Sequence, residues 1–125
     1  MREILFRGKR IDNGEWVYGD LVQSPAHCVV QIYEQDLCGD NFAVDPSTVG
    51  QYTGLTANGK KIFEGDIVRF STPYCLYTAP IVYQNGVWCA DNKREASFTL
   101  YSIMKLTPEV IGNIHDNPEL MEDEQ

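Results

Sequence analysis

The chain has 125 residues, 43% hydrophobic and 22% charged, a composition that suits one folded domain and is not that of a disordered chain. Its net charge of −8 counts against a nonspecific duplex-DNA binder, because such proteins attach through a basic surface that displaces counterions. No apolar run approaches the roughly 20 residues that span a bilayer, and Met1-Arg2-Glu3-Ile4-Leu5-Phe6-Arg7 mixes charge into its apolar residues, so neither a membrane span nor a secretory signal is expected and the default location is the cytoplasm.

The chain opens with a basic cluster, Arg2, Arg7, Lys9 and Arg10, which leaves room for a local basic face on an acidic protein. Asn13-Gly14 then separates Ile4-Leu5-Phe6 and Ile11 from Trp16-Val17-Tyr18-Gly19-Asp20-Leu21-Val22. Both residues of Asn-Gly tolerate the positive φ of a type I′ turn, so a β-hairpin is expected there. Asp45-Pro46-Ser47-Thr48 offers a cap followed by Pro at the first helical position, enough for one turn before Gly50.

A glycine-rich run follows, from Gly50 to Phe70. A phosphate-binding loop needs Gly-Lys-Ser/Thr opening a helix, but Gly59-Lys60 is followed by Lys61-Ile62-Phe63. The spacing of Gly50, Gly54, Gly59 and Gly65 does not fit a dinucleotide fingerprint either. The run therefore reads as turns and strands, with Gly65 and Asp66 forming a structural turn into Ile67-Val68-Arg69-Phe70. Asn85-Gly86 marks another hairpin, between Ala79-Pro80-Ile81-Val82-Tyr83 and Val87-Trp88-Cys89-Ala90. Asn117-Pro118-Glu119 starts a short terminal helix, and Asp116 to Gln125 holds five acids and no base. Mainly β, with one or two brief helical turns, is the expected class.

Little points to chemistry. Cys28, Cys38, Cys75 and Cys89 lack zinc-knuckle spacing, and His27-Cys28, adjacent in a strand, would diverge to opposite faces. Reduced thiols, no metal and no cofactor are expected. Asp20, Glu64 and Asp66 could be imagined as an acid–base group, but Asp in a Gly-Asp turn commonly bonds backbone amides. His115 reads as a turn or surface residue, and no serine sits in a nucleophile elbow. The chain is accordingly read as no enzyme. Aromatics are the better lead. Most should be core, but Tyr52, Tyr74, Tyr77, Tyr83 and Trp88, where exposed, would make a platform for a base, nucleotide or partner side chain.

Gly65-Asp66-Ile67-Val68-Arg69-Phe70 resembles the opening strand of SH3-like barrels, including the nucleic-acid-binding KOW type. A longer succession is more specific. Arg2 to Arg7, Trp16 to Leu21, Val44 to Leu55, Asn58-Gly59-Lys60, Ile62 to Val68 and Val110 to Leu120 occur in order. Together they resemble the YopX family of bacteriophage and prophage proteins across nearly the whole chain. The resemblance implies a phage-derived, cytoplasmic, mostly β protein that assembles in several copies, and it carries over no catalytic residue. The segments Gln23 to Phe42 and Ser71 to Leu106 depart from the pattern.

The resulting expectation is a single all-β domain. Residues 1–43 form an N-terminal hairpin region, 44–106 an SH3-like or related barrel, and 107–125 a C-terminal strand, turn and acidic tail. Its expected function is that of a noncatalytic module binding a host or phage protein. The alternative is a small-ligand, nucleotide or nucleic-acid binder using the aromatic strands. Homo-oligomerisation is expected from the resemblance and from the strand edges a small open barrel leaves.

Overall fold

The computed structural model describes residues 3–24, 29–33, 41–92 and 96–122. The chain divides after Gly54 into two compact units.

In the first unit, β1 (Phe6–Lys9), β2 (Trp16–Ser24), β3 (Val29–Tyr33), β4 (Asn41–Ala43) and the start of β5 (Gly50–Ala57) lie in the antiparallel order β4-β3-β2-β1-β5. Alternation along β1 and β2 puts Phe6, Val17 and Leu21 on one face, where they meet Ile32, Phe42, Val44 and Val49 in a small core. A 3-10 turn, Pro46–Thr48, precedes β5. Asp45 caps it by accepting from Ser47 N, and Thr48 Oγ1 accepts from Lys9 N at 2.9 Å, tying the turn to β1.

Gly50 and Gln51 pair with Arg7 and Phe6 on β1, which places the start of β5 in this unit. The hairpin at Asn13-Gly14 exists, but Asn13 does not adopt positive φ and the loop is longer than two residues. Gly14 alone has positive φ (75°), Gly14 N donates to Arg10 O, and Arg10 N donates to Glu15 O. Strands β3 and β4 occupy the divergent segment, to which the sequence reading assigns no element.

In the second unit, the end of β5 turns through Asn58 and Gly59 into β6 (Lys60–Phe63). Then β7 (Asp66–Ser71), β8 (Leu76–Gln84), β9 (Val87–Asn92), β10 (Ala96–Thr99) and β11 (Glu109–Asn113) form a second antiparallel array, ordered β10-β9-β8-β7-β11. Asn58 and Gly59 both have positive φ, as do Asn85 and Gly86, so these two hairpins use the paired left-handed geometry that Asn-Gly suits. The core gathers Ile62, Val68, Phe70, Ala79, Ile81 and Ala90 with Leu100 and Ile103. The last two belong to α1 (Leu100–Ile103), which runs into a 3-10 turn, Met104–Leu106.

The strands form two antiparallel sheets and no closed barrel, so of the expected SH3-like or related barrel only the mostly β, antiparallel character is seen. Closure would require the edges β10 and β11 to pair. Between them the chain instead passes through α1 and the 3-10 turn, whose Leu100 and Ile103 cover apolar surface with side chains and no ladder hydrogen bonds. The mostly β class with brief helical turns is observed.

The Gly65-Asp66 step has a definite geometry. Gly65 has φ 93°, a conformation open to glycine and costly for a β-branched residue. Its N–H donates to Ile81 O and its carbonyl accepts from Ile114 N, both at 2.9 Å. Asp66, 3% exposed, accepts the Phe63 N–H on Oδ2 at 2.7 Å. The earlier Gly19-Asp20 lies inside β2 opposite Phe6, so the two Gly-Asp steps do not share a structural role.

The C-terminal motif is also structural. Asn113 Oδ1 accepts from the backbone N–H of His115 and of Asp116, and Asn117 Oδ1 accepts from Asn113 N. A Cβ on Gly112 would lie 2.5 Å from Asn117 Oδ1 and 3.0 Å from Leu120 Cδ1, so only glycine admits this close return. The short α2 (Glu119–Glu122) then packs on β8.

Candidate functional site

Of the five aromatics expected as a platform, Tyr52 belongs to the first unit, and in the second unit Tyr74, Tyr77 and the Tyr83–Trp88 pair have different surroundings. Tyr52, in the first unit, is buried, and its backbone N–H donates to Leu5 O. Tyr77 faces inward, its ring 5.6 Å from Phe70 and 5.2 Å from Phe98. Phe70 and Phe98 meet edge-on at 5.4 Å, completing a three-ring cluster against the core. Tyr74 stands 93% exposed in the turn between β7 and β8, where Thr72 Oγ1 accepts from Tyr74 N and Cys75 N.

Tyr83 and Trp88 do meet. They are register partners on β8 and β9, with ring centroids 4.9 Å apart at 62°. Trp88 leans on the core while Tyr83 is 57% exposed. The Asn85-Gly86 turn fixes the hairpin tip, Val87 on its opposite face is 45% exposed, and Gln84 Nε2 donates to Asp91 Oδ2 at 2.6 Å. The result is a stiff tip with apolar groups on both faces.

The basic cluster is more organised than the sequence reading anticipates. Arg7 and Lys9 both lie over the Trp16 ring, 4.7 and 5.6 Å from its centroid. Lys9 is the register partner of Trp16, and Arg7 that of Tyr18, which is 44% exposed. These four side chains form a cation–aromatic ladder on the face of β1 and β2 away from the core. Arg10 takes the other face: its guanidinium lies 4.4 Å from the Phe42 ring and makes a two-pronged bond to Asp12, Nε to Oδ1 at 2.9 Å and Nη2 to Oδ2 at 2.7 Å. Arg10, by hydrogen bonding and by its charge, holds the Asp12 carboxyl below the usual carboxylate range. Arg10, Ile11, Asp12, Phe42 and Ala43 line a cleft of about 490 Å³.

Neither Trp16 nor Phe42 is singled out as a functional residue by sequence reasoning. The available signal was the hairpin register. A two-residue turn at Asn13-Gly14 would pair Lys9 with Tyr18, whereas the longer loop pairs Lys9 with Trp16.

Of the imagined carboxylate group, Asp20 lies in the first unit and Glu64 and Asp66 in the second. Asp66 is engaged with the Phe63 amide, and His115 sits in the Asn113–Asn117 turn. Among the described residues, Cys75 and Cys89 are free thiols, and no His, Cys, Asp or Glu cluster is arranged for a metal. His27, Cys28 and Cys38 lie outside the described residues. No helix among those residues is long and apolar enough to cross a membrane.

No curated protein matches the chain. The model of the YopX protein family matches residues 5–122. The matched span contains the β1–β2 hairpin, the Gly65-Asp66 turn and the Gly112–Leu120 return, which are the features that hold the two units' strands in place. On that match the chain belongs to the YopX family.

Proposed function

We propose that the protein is a noncatalytic, phage- or prophage-derived module that binds a protein partner in the host cytoplasm. The observation that carries this reading is the Tyr83–Trp88 hairpin tip. Tyr and Trp give large contact area at low entropic cost, and a tight turn between paired strands has little freedom left to lose on binding. Tyr83 and Val87 are exposed there on opposite faces, beside a ring already anchored to the core. The 62° angle between the rings favours this over the alternative of a stacked base, because the two rings pack on each other and leave no parallel slot. Strand edges at β10 and β11 support a further proposal, self-association, checked by the mass in solution at high micromolar concentration.

The test is affinity capture from host cells with the native chain and with a Tyr83→Ala/Val87→Asp variant, the eluates being analysed for polypeptides and for nucleotides. A polypeptide retained by the native chain and lost with the variant supports the reading. A nucleotide or nucleic acid lost in the same way would overturn it in favour of the alternative.

A further inference from the structure

The Arg10 cleft is built from the backbone outward. Arg10 N donates to Glu15 O, Ile11 N donates to Ala43 O, and Arg10 bridges Val44, so the stem of the side chain starts from a fixed point at the rim of the first unit's core. The Phe42 ring packs against the guanidinium, with Arg10 Cζ 4.4 Å from the ring centroid. Ile11, 67% exposed, and the partly buried Phe42 give the cleft an apolar lining.

The guanidinium presents its fork to a carboxylate, Asp12, that belongs to an exposed loop and is itself 66% exposed. A planar carboxylate matches that fork, and a phosphate matches it without the planarity. With Asp12 largely in solvent and Arg10 24% exposed, such a pair contributes little to stability, so displacing Asp12 from Arg10 costs little. Any apolar group seated on Ile11 and Phe42 then adds a gain that Asp12 cannot supply.

We infer that this cleft is a recognition site for a polypeptide carboxylate flanked by an apolar side chain, with Asp12 as a built-in stand-in that the ligand displaces from Arg10. The carboxylate comes either from a chain terminus or from an acidic side chain. The site belongs to the first unit and does not depend on the Tyr83–Trp88 hairpin, so failure here leaves the capture experiment unaffected, and the reverse.

The experiment is a titration of the isotope-labelled full chain followed by NMR at the Arg10 Nε–H and the Ile11 amide. The probes are N-acetyl-leucine, N-acetyl-aspartyl-leucinamide, N-acetyl-leucinamide and inorganic phosphate. Saturable shifts from at least one of the two carboxylate probes, and none from N-acetyl-leucinamide, are expected; the stronger of the two identifies the source. Asp12→Asn should tighten carboxylate binding by at most about fivefold, since the competing pair is an exposed one. Arg10→Lys should abolish it, because an ammonium cannot reproduce the fork. Should Arg10→Lys melt well below the native chain, the Asp12→Asn arm decides alone. The inference is overturned if no carboxylate probe saturates with either the native chain or Asp12→Asn. Equal binding of N-acetyl-leucinamide, or tighter binding of phosphate than of both carboxylates, overturns it as well.

Discussion

Phe70, Tyr77 and Phe98 occupy the same face of the second sheet as Tyr83 and Trp88, yet the first three are packed together and Tyr83 is mostly in solvent. Alternation accounts for the shared face and for nothing more. Position along the strands decides the rest. Near Phe70 and Tyr77 the sheet meets Phe98, Leu100 and Ile103, whereas the β8–β9 tip runs past the core that Trp88 still touches. A strand pattern therefore tells which side a ring is on, and only the covering elements tell whether it is buried.

The strongest way to break this comparison is Phe70→Ala. Phe70 is 3% exposed and contacts both partner rings, so its truncation should cost about 3–5 kcal/mol by chemical denaturation. A loss below about 1 kcal/mol would mean that the three-ring cluster is not a packed core, a range typical of surface changes.

Next comes the turn that anchors the middle of β8. Gly65 bonds Ile81, which lies between the two aromatic groups. Gly65→Val should lower stability by about 1–3 kcal/mol or more, through strain at φ 93°. Asp66→Ala leaves the buried Phe63 N–H without that acceptor and should cost on the order of 1 kcal/mol. Both should lower the melting temperature before they alter any binding. Suppose Asp66→Ala abolished an interaction while the melting curve stayed put; Asp66 would then be a site and its turn role secondary.

Asn85→Val sharpens the outward half of the comparison. A β-branched residue at φ 52° should cost about 1–2 kcal/mol and loosen the tip, read as faster amide exchange in β8 and β9 than in β7. Tyr83→Ala is smaller still: with the ring mostly exposed, only its edge contact with Trp88 is lost, worth about 0.5–1.5 kcal/mol. A cost matching that of Phe70→Ala would erase the distinction between the two groups.

The smallest effect lies outside both. Asp12 has its carboxyl pKa lowered by Arg10 in the folded chain, so its contribution is present above the unfolded value near 3.8 and is lost as pH falls through the lowered one. Asp12→Asn should therefore lower the melting temperature slightly near neutrality, and the difference from the native chain should disappear as pH falls well below about 4.

Asn58-Gly59 and Asn85-Gly86 were legible because both residues of each pair adopt positive φ, a local property of the dipeptide. The cap at Asp45 was legible for a similar reason, since it acts within two residues of itself, whereas the Asn117 side chain, expected to cap α2, instead accepts from Asn113 N. Asn13-Gly14 shows the limit. The same dipeptide sits in a longer loop there, and its register follows from the pairing of whole strands β1 and β2. Sequence alone determined the β class, most turns and the family, because those depend on short-range chemistry and on motif order. The open sheets, the inward turn of Tyr77 and the placement of Arg7, Lys9 and Arg10 over Trp16 and Phe42 were decided by tertiary structure. Each depends on contacts between residues distant in the chain, and on which surfaces α1 and the sheet edges leave uncovered, quantities that no local pattern encodes.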